Sequence, residues 1–143
     1  MKNIKILLAV FTISILTSSI GVFAYSTGNA YISNVKVGGA DNSIYSSGAR
    51  TKVTSGNQTL SNISQSRALK ARLGYWNTAL NEWKNGTLVW QNMKNGQTLT
   101  FNSDGVTGFY PSLMLGDYKA EIAQVSWGIS DATLYSGTYS PGN

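Results

Sequence analysis

Apolar and polar side chains alternate in short runs along most of the chain, and Gly, Asn, Asp and Ser separate the runs. This is the period-two signature of half-buried strands. Ala30 to Val37 sets Tyr31, Val35 and Val37 against Asn34 and Lys36 and stops at Gly38-Gly39. Ala49 to Thr54 alternates Ala49, Thr51 and Val53 with Arg50, Lys52 and Thr54. Gln58 to Gln65 is polar and poorly patterned, and reads as an edge strand or a loop. Asp117 to Trp127 is the longest strand candidate. Tyr118, Ala120 and Ile122 share one face, after which Ala123, Val125 and Trp127 take the opposite parity. That slip predicts a β-bulge near Ile122-Ala123, or else a central strand buried on both faces. Ala132 to Tyr139 is the last strand, followed by an exposed tail, Ser140-Pro141-Gly142-Asn143.

Residues 81–101 carry the strongest turn chemistry. Asn85-Gly86 and Asn95-Gly96 each follow a lysine, ten residues apart. Asn-Gly between extended segments favours a type I′ hairpin, because both central residues need positive φ. Two such turns predict a three-stranded meander. Its dry face would hold Trp83, Leu88, Trp90, Leu99 and Phe101, and Val89, Gln91 and Met93 would face the other way. On this reading Trp83, Trp90 and Trp127 are core.

Residues 66–84 admit two periods. Leu69, Leu73, Trp76, Leu80 and Trp83 fit an amphipathic helix, whereas Leu69, Ala71, Leu73 and Tyr75 alternate with Ala68, Lys70, Arg72 and Gly74. Gly74 disfavours the helix and Tyr75-Trp76 favours the strand, so a strand over 68–76 is expected. The tally is seven to eight short strands with turn signals about every 8–12 residues. An all-β fold follows, and a small antiparallel β-sandwich of immunoglobulin-like type is the expected architecture.

The first 24 residues read differently. Lys2 and Lys5 precede an apolar run from Ile6 to Leu16, and Val22-Phe23-Ala24 supplies a peptidase site. This predicts a signal peptide, residues 1–24, cleaved after Ala24, and a secreted single domain over 25–143. The apolar run is shorter than the roughly 20 residues that span a bilayer. No cysteine is present, so neither disulfides nor thiolate chemistry can hold or equip the domain.

Chemistry is constrained by what is missing. There is no histidine, which with the lack of cysteine removes the usual metal ligands and the nucleophile–imidazole mechanisms. No cofactor is expected. Asp41, Asp104, Asp117 and Asp131 sit in turn contexts. Asn102-Ser103-Asp104-Gly105 resembles part of a calcium loop but lacks its first and last acids. Glu82 and Glu121 are the only other acids, and nothing in the sequence pairs them for hydrolysis. The expectation is therefore not an enzyme.

Without Lys2 and Lys5, nine of the eleven basic residues stand against six acids. This mild excess has no basic run, so nucleic acid is not an expected partner. It favours an anionic cell-envelope polymer or a protein. On the strand reading, Lys70, Arg72 and Trp76 share one face and form the candidate binding patch. The alternative is a membrane-active, bacteriocin-like protein, motivated by the helical stripe over 66–84 and the positive charge.

Overall fold

A computed structural model describes residues 25–85, 89–101, 110–126 and 131–143. The leader and its cleavage site, Gly86 of the first Asn-Gly, Leu88, the Asn102–Gly105 loop and Trp127 lie outside the described residues. Among the described residues there are ten strands: β1 (Ala30–Gly38), β2 (Tyr45–Ser46), β3 (Arg50–Lys52), β4 (Gln58–Gln65), β5 (Leu69–Asn77), β6 (Glu82–Asn85), β7 (Gln91–Met93), β8 (Thr98–Phe101), β9 (Gly116–Gln124) and β10 (Ala132–Ser140). They form two antiparallel sheets, consistent with a β-sandwich.

The ten strands occupy eight rows. Strands β2 and β3 both pair with β9, and β6 and β7 both pair with β5, so each couple is one interrupted row. The first sheet runs β1-β10-β4-β8, and the second runs β2/β3-β9-β5-β6/β7. The first row therefore neighbours the last, the second the next to last, and so inward to β5 beside β6/β7. A long antiparallel ribbon wrapped into two sheets gives this jelly-roll order. In the immunoglobulin arrangement expected from the sequence, the first two strands share a sheet. Here β1 and β2/β3 belong to opposite sheets.

Turn chemistry explains why the predicted meander did not form. Both β6 and β7 run antiparallel to β5, so the two strands point the same way and do not form a hairpin with each other. The reversal comes earlier, over 78–81, where Asn81 adopts φ 53° and the Asn77 side chain accepts from the Leu80 N–H at 3.1 Å. Asn tolerates this left-handed backbone. At the second Asn-Gly, Gln97 N–H donates to Lys94 C=O at 3.0 Å, and of the two central residues only Gly96 has positive φ, 74°. That is a type II pattern, whose twist opposes a hairpin. The chain accordingly leaves the second sheet there, and β8 pairs with β4 in the first.

Two further expectations change. Gln58–Gln65 is neither edge nor loop but lies between β10 and β8. Strand β9 pairs with β5 over seven successive residues without a slip, so no bulge interrupts Ile122-Ala123. Ile122, Ala123 and Gln124 are all buried because the strand is central.

Leu60, Leu69, Leu73, Phe101, Ile122 and Val37 fill the space between the sheets with three large tyrosines, Tyr118, Tyr135 and Tyr139. Each tyrosine reaches a polar partner: Tyr139 Oη donates to Gln58 Oε1 at 2.6 Å, Tyr135 Oη to Ser61 C=O at 2.6 Å, and Tyr118 Oη to Met114 C=O at 3.0 Å. Gln58 completes its own bonding by donating to Pro111 C=O at 3.0 Å. A polar strand thus serves as a core strand because its amide and the tyrosine hydroxyls satisfy each other. Gly137 makes the fit possible: a Cβ there would lie 2.1 Å from both Ser61 C=O and Tyr135 Oη.

Two predictions follow from this core. Gln58→Ala leaves the buried Tyr139 hydroxyl without its acceptor and should cost about 1–3 kcal/mol in urea unfolding, with Tyr139→Phe restoring part of the loss. Burial also raises the hydroxyl pKa values of Tyr118, Tyr135 and Tyr139 above the ordinary 10, with neighbouring Tyr75, Tyr45 and Tyr118 adding to the respective shifts. A raised folded-state value contributes stability that is intact below about pH 10 and is lost as pH climbs past it. Lys52, whose pKa burial lowers, opposes this trend but is one group against three. Stability should therefore fall above pH 10, and absorbance at 295 nm should show three of the eight tyrosines ionising only on unfolding.

Candidate functional site

The outward face of the second sheet is set by the β5–β9 register. Odd-numbered Leu69, Ala71 and Leu73 point inward and are fully buried. Lys70, Arg72, Gly74 and Trp76 therefore point out, as do their β9 register partners Ala123, Glu121 and Lys119, and Asp117, which shares their parity. On the other side of β5, Trp83 stands opposite Trp76, Asn85 opposite Gly74 and Asn92 opposite Lys70. Trp90, just before β7, falls in line with Arg72.

The sequence-derived patch is thus on one face, as its parity requires. Lys70 and Arg72 gather around a residue not included in it: Arg72 Cζ lies 4.4 Å and Lys70 Nζ 5.4 Å from the Trp90 ring centre. Trp76 stands in a separate aromatic group, edge-on to Trp83 at 5.6 Å, and Tyr25 reaches Trp83 from the far side at 6.3 Å. Lys119 Nζ sits over the Trp83 ring at 4.8 Å. Trp83 and Trp90 are thus half-buried on the outer face and are not core. The expected meander reversed their parity. Met93, assigned to solvent on that reading, is 2 % exposed, whereas Leu99 and Phe101 do enter the core, from the opposite sheet.

The two aromatic rows, Arg72–Trp90 and Trp76–Trp83, are four residues apart along β5, about 13 Å. Gly74 lies between them. A Cβ there would come within 3.2 Å of Glu121 Oε1 and Lys119 Cε. The missing side chain lets Lys119 cross β5 to reach Trp83 on β6, and leaves a shallow saddle between the rows. Glu121 ties the charges together, accepting from Arg72 Nε at 2.8 Å and pairing with Lys119 Nζ at 3.5 Å. Glu82, in register with inward Asn77, takes the opposite parity and pairs with Lys84 at 2.7 Å. The two glutamates therefore do not form a facing pair.

Beyond Trp76 the face opens into a cleft of about 280 Å³ lined by Tyr75, Trp76, Asn77, Met114, Asp117 and Tyr118. Thr51 Oγ1 donates to Asp117 Oδ1 at 2.5 Å and fixes that carboxylate at the cleft wall. Flat ring faces, an anchored carboxylate and an amide in one cleft suit a hydroxylated ring, which can stack and hydrogen-bond at once.

Parity alone could locate Lys70, Arg72 and Trp76, but Trp83, Trp90 and Lys119 needed the pairing of β6, β7 and β9 with β5. Gly74→Val tests the saddle. The clashing atoms are ends of flexible side chains, so stability should change by no more than about 1 kcal/mol. Lys119 should be displaced from Trp83, and the indole emission should shift. Lys119→Met should give the same spectral change without the added bulk. No protein-family profile, curated protein or solved structure matches the chain.

Proposed function

We propose that this protein is a secreted, non-catalytic binding module that grips an acid-bearing glycan-like polymer of the cell envelope on the outer face of its second sheet. The observation that carries the reading is the arrangement of three indoles in two rows about 13 Å apart, with cations laid on them and a glycine saddle between. Ring faces offer stacking to successive units of a chain, and the saddle gives the chain a path. Lys70, Arg72 and Lys119 face two carboxylates, Asp117 and Glu121, on the same surface. The excess is one positive charge, so selection for acid groups is modest and the rings supply most of the affinity.

The membrane-active alternative is weakened, because Leu69–Asn77 is a strand and not part of an amphipathic helix, which leaves it only the positive charge.

Pull-down on purified cell-wall material tests the polymer reading. Wild-type protein should be retained at low salt and released in part as salt rises. Trp76→Ala and Lys70→Ala should each lower affinity, Trp76→Ala by at least tenfold, while Leu134→Ala on the other sheet leaves it unchanged. Protease treatment of the wall material should not abolish retention; if it does, the partner is a protein. No retention at low salt would overturn the reading.

A further inference from the structure

The cleft beyond Trp76 contains two polar side chains that the fold pins by one atom each. Asp117 Oδ1 accepts from Thr51 Oγ1 at 2.5 Å. Asn77 Oδ1 accepts from the Leu80 N–H at 3.1 Å, in the turn that follows β5. Among the described residues neither Asp117 Oδ2 nor Asn77 Nδ2 has a hydrogen-bond partner. Both residues line the cleft. An ionised carboxylate oxygen accepts only, and an amide nitrogen donates only. The cleft therefore offers one acceptor and one donor, on side chains whose orientation is already set.

An aromatic face adjoins this pair. Asp117 falls opposite Trp76, one step beyond Tyr75 and Tyr118, the last partners in the β5–β9 register. Trp76 is half-buried and lines the same cleft with Tyr75 and Tyr118. An indole face takes the C–H face of a sugar ring, whose hydroxyls then need partners at its rim. Two adjacent hydroxyls match the pair: one donates to the carboxylate, and its neighbour accepts from the amide. A space of about 280 Å³ lies at the small end of ligand pockets and suits a single ring.

We propose that the cleft takes a neutral sugar ring through two adjacent free hydroxyls. Asp117 repels an acid group brought to the cleft, because like charges at close quarters are unfavourable. Lys119, the one cation of β9, is held by Glu121 at 3.5 Å and lies over the Trp83 ring. The cations that favour an acid group, Arg72 and Lys70, stand across the Gly74 saddle, with Arg72 about 13 Å from Trp76 along β5. The inference rests on the polymer reading and narrows it. The polymer carries uncharged units with free adjacent hydroxyls as well as acid-bearing units. A uniformly acidic chain, or one whose hydroxyls are all substituted, would not enter the cleft.

Titration with the methyl glycosides of glucose, galactose and mannose tests the inference, read by NMR at the indole N–H signals. At millimolar concentration at least one of them should move the Trp76 signal, assigned with Trp76→Phe, and leave that of Trp90 in place. The uronate form of the same glycoside, and its form with two adjacent hydroxyls methylated, should each bind at least fivefold more weakly. Asp117→Asn should bring the uronate to within about twofold of the neutral ring. Asn77→Asp keeps the acceptor for the Leu80 N–H and replaces the donor. It should weaken the neutral ring at least fivefold while circular dichroism and the urea midpoint stay unchanged. No response to any of the three glycosides would overturn the inference. So would equal binding of the uronate by the wild type, or unchanged binding by Asn77→Asp. Retention on cell-wall material separates the two readings: retention without a glycoside response overturns the inference alone, and a glycoside response without retention overturns the polymer reading alone.

Discussion

The pairing of β5 with β9 is the constraint on which both the interior and the surface depend. Seven residue pairs in unbroken register fix which side chains point in and which point out along the middle of the second sheet. Inward, Leu69, Ala71, Leu73, Ala120 and Ile122 close the core against Leu60, Phe101 and the buried tyrosines. Outward, the same pairs set Arg72 beside Glu121 and Lys119 beside Gly74. A one-residue slip would send the apolar set to solvent and dismantle the cationic face in the same step. The outer face and the core are therefore coupled through a single ladder of backbone bonds.

The outer face shows how charges and indoles can coexist on an open sheet. Arg72 is placed over Trp90 and bonded to Glu121, so the guanidinium is satisfied in its plane and above it. Guanidinium suits this double role because its donors lie in the plane while its face stacks. Lys119, a point charge, is shared between Glu121 and the Trp83 ring. A ligand that brought its own acid group would compete with Glu121 for these cations, and one that brought a ring would compete for the indole faces they cover. The patch is consequently preorganised without being saturated.

Much of the architecture was legible in the sequence, and the misreadings have two sources. Period-two alternation located Ala30–Gly38, Leu69–Asn77 and Ala132–Ser140 almost to the residue, and it placed Lys70, Arg72 and Trp76 on one face. Local turn chemistry misled because Asn-Gly was taken to require a hairpin. The strands before and after the first Asn-Gly, β6 and β7, both run antiparallel to β5, and Asn95-Gly96 carries the chain from one sheet to the other. From that single step Trp83 and Trp90 were assigned inward. Gln58–Gln65 was misread for another reason: its core contacts are made by Gln58 and Asn62, whose burial is compensated by partners far along the chain, Pro111, Tyr139 and Lys94. No local pattern encodes such long-range satisfaction. The jelly-roll order lay beyond reach for the same reason, since alternation specifies strands but not neighbours.

The interrupted rows have a consequence for the protein in a crowded solution. Among the described residues each sheet has two outer strands, and each of the four is blunted. In the second sheet these are the broken couples β2/β3 and β6/β7; in the first they are β8, four residues long, and β1, whose register shifts between Ile32 and Val35. An uninterrupted outer strand is a template onto which another chain can add by backbone hydrogen bonding. Here any added strand would lose register within a few residues. A β-protein with no disulfide to lock it thus carries, in the imperfections of its borders, its protection against growing into a fibril.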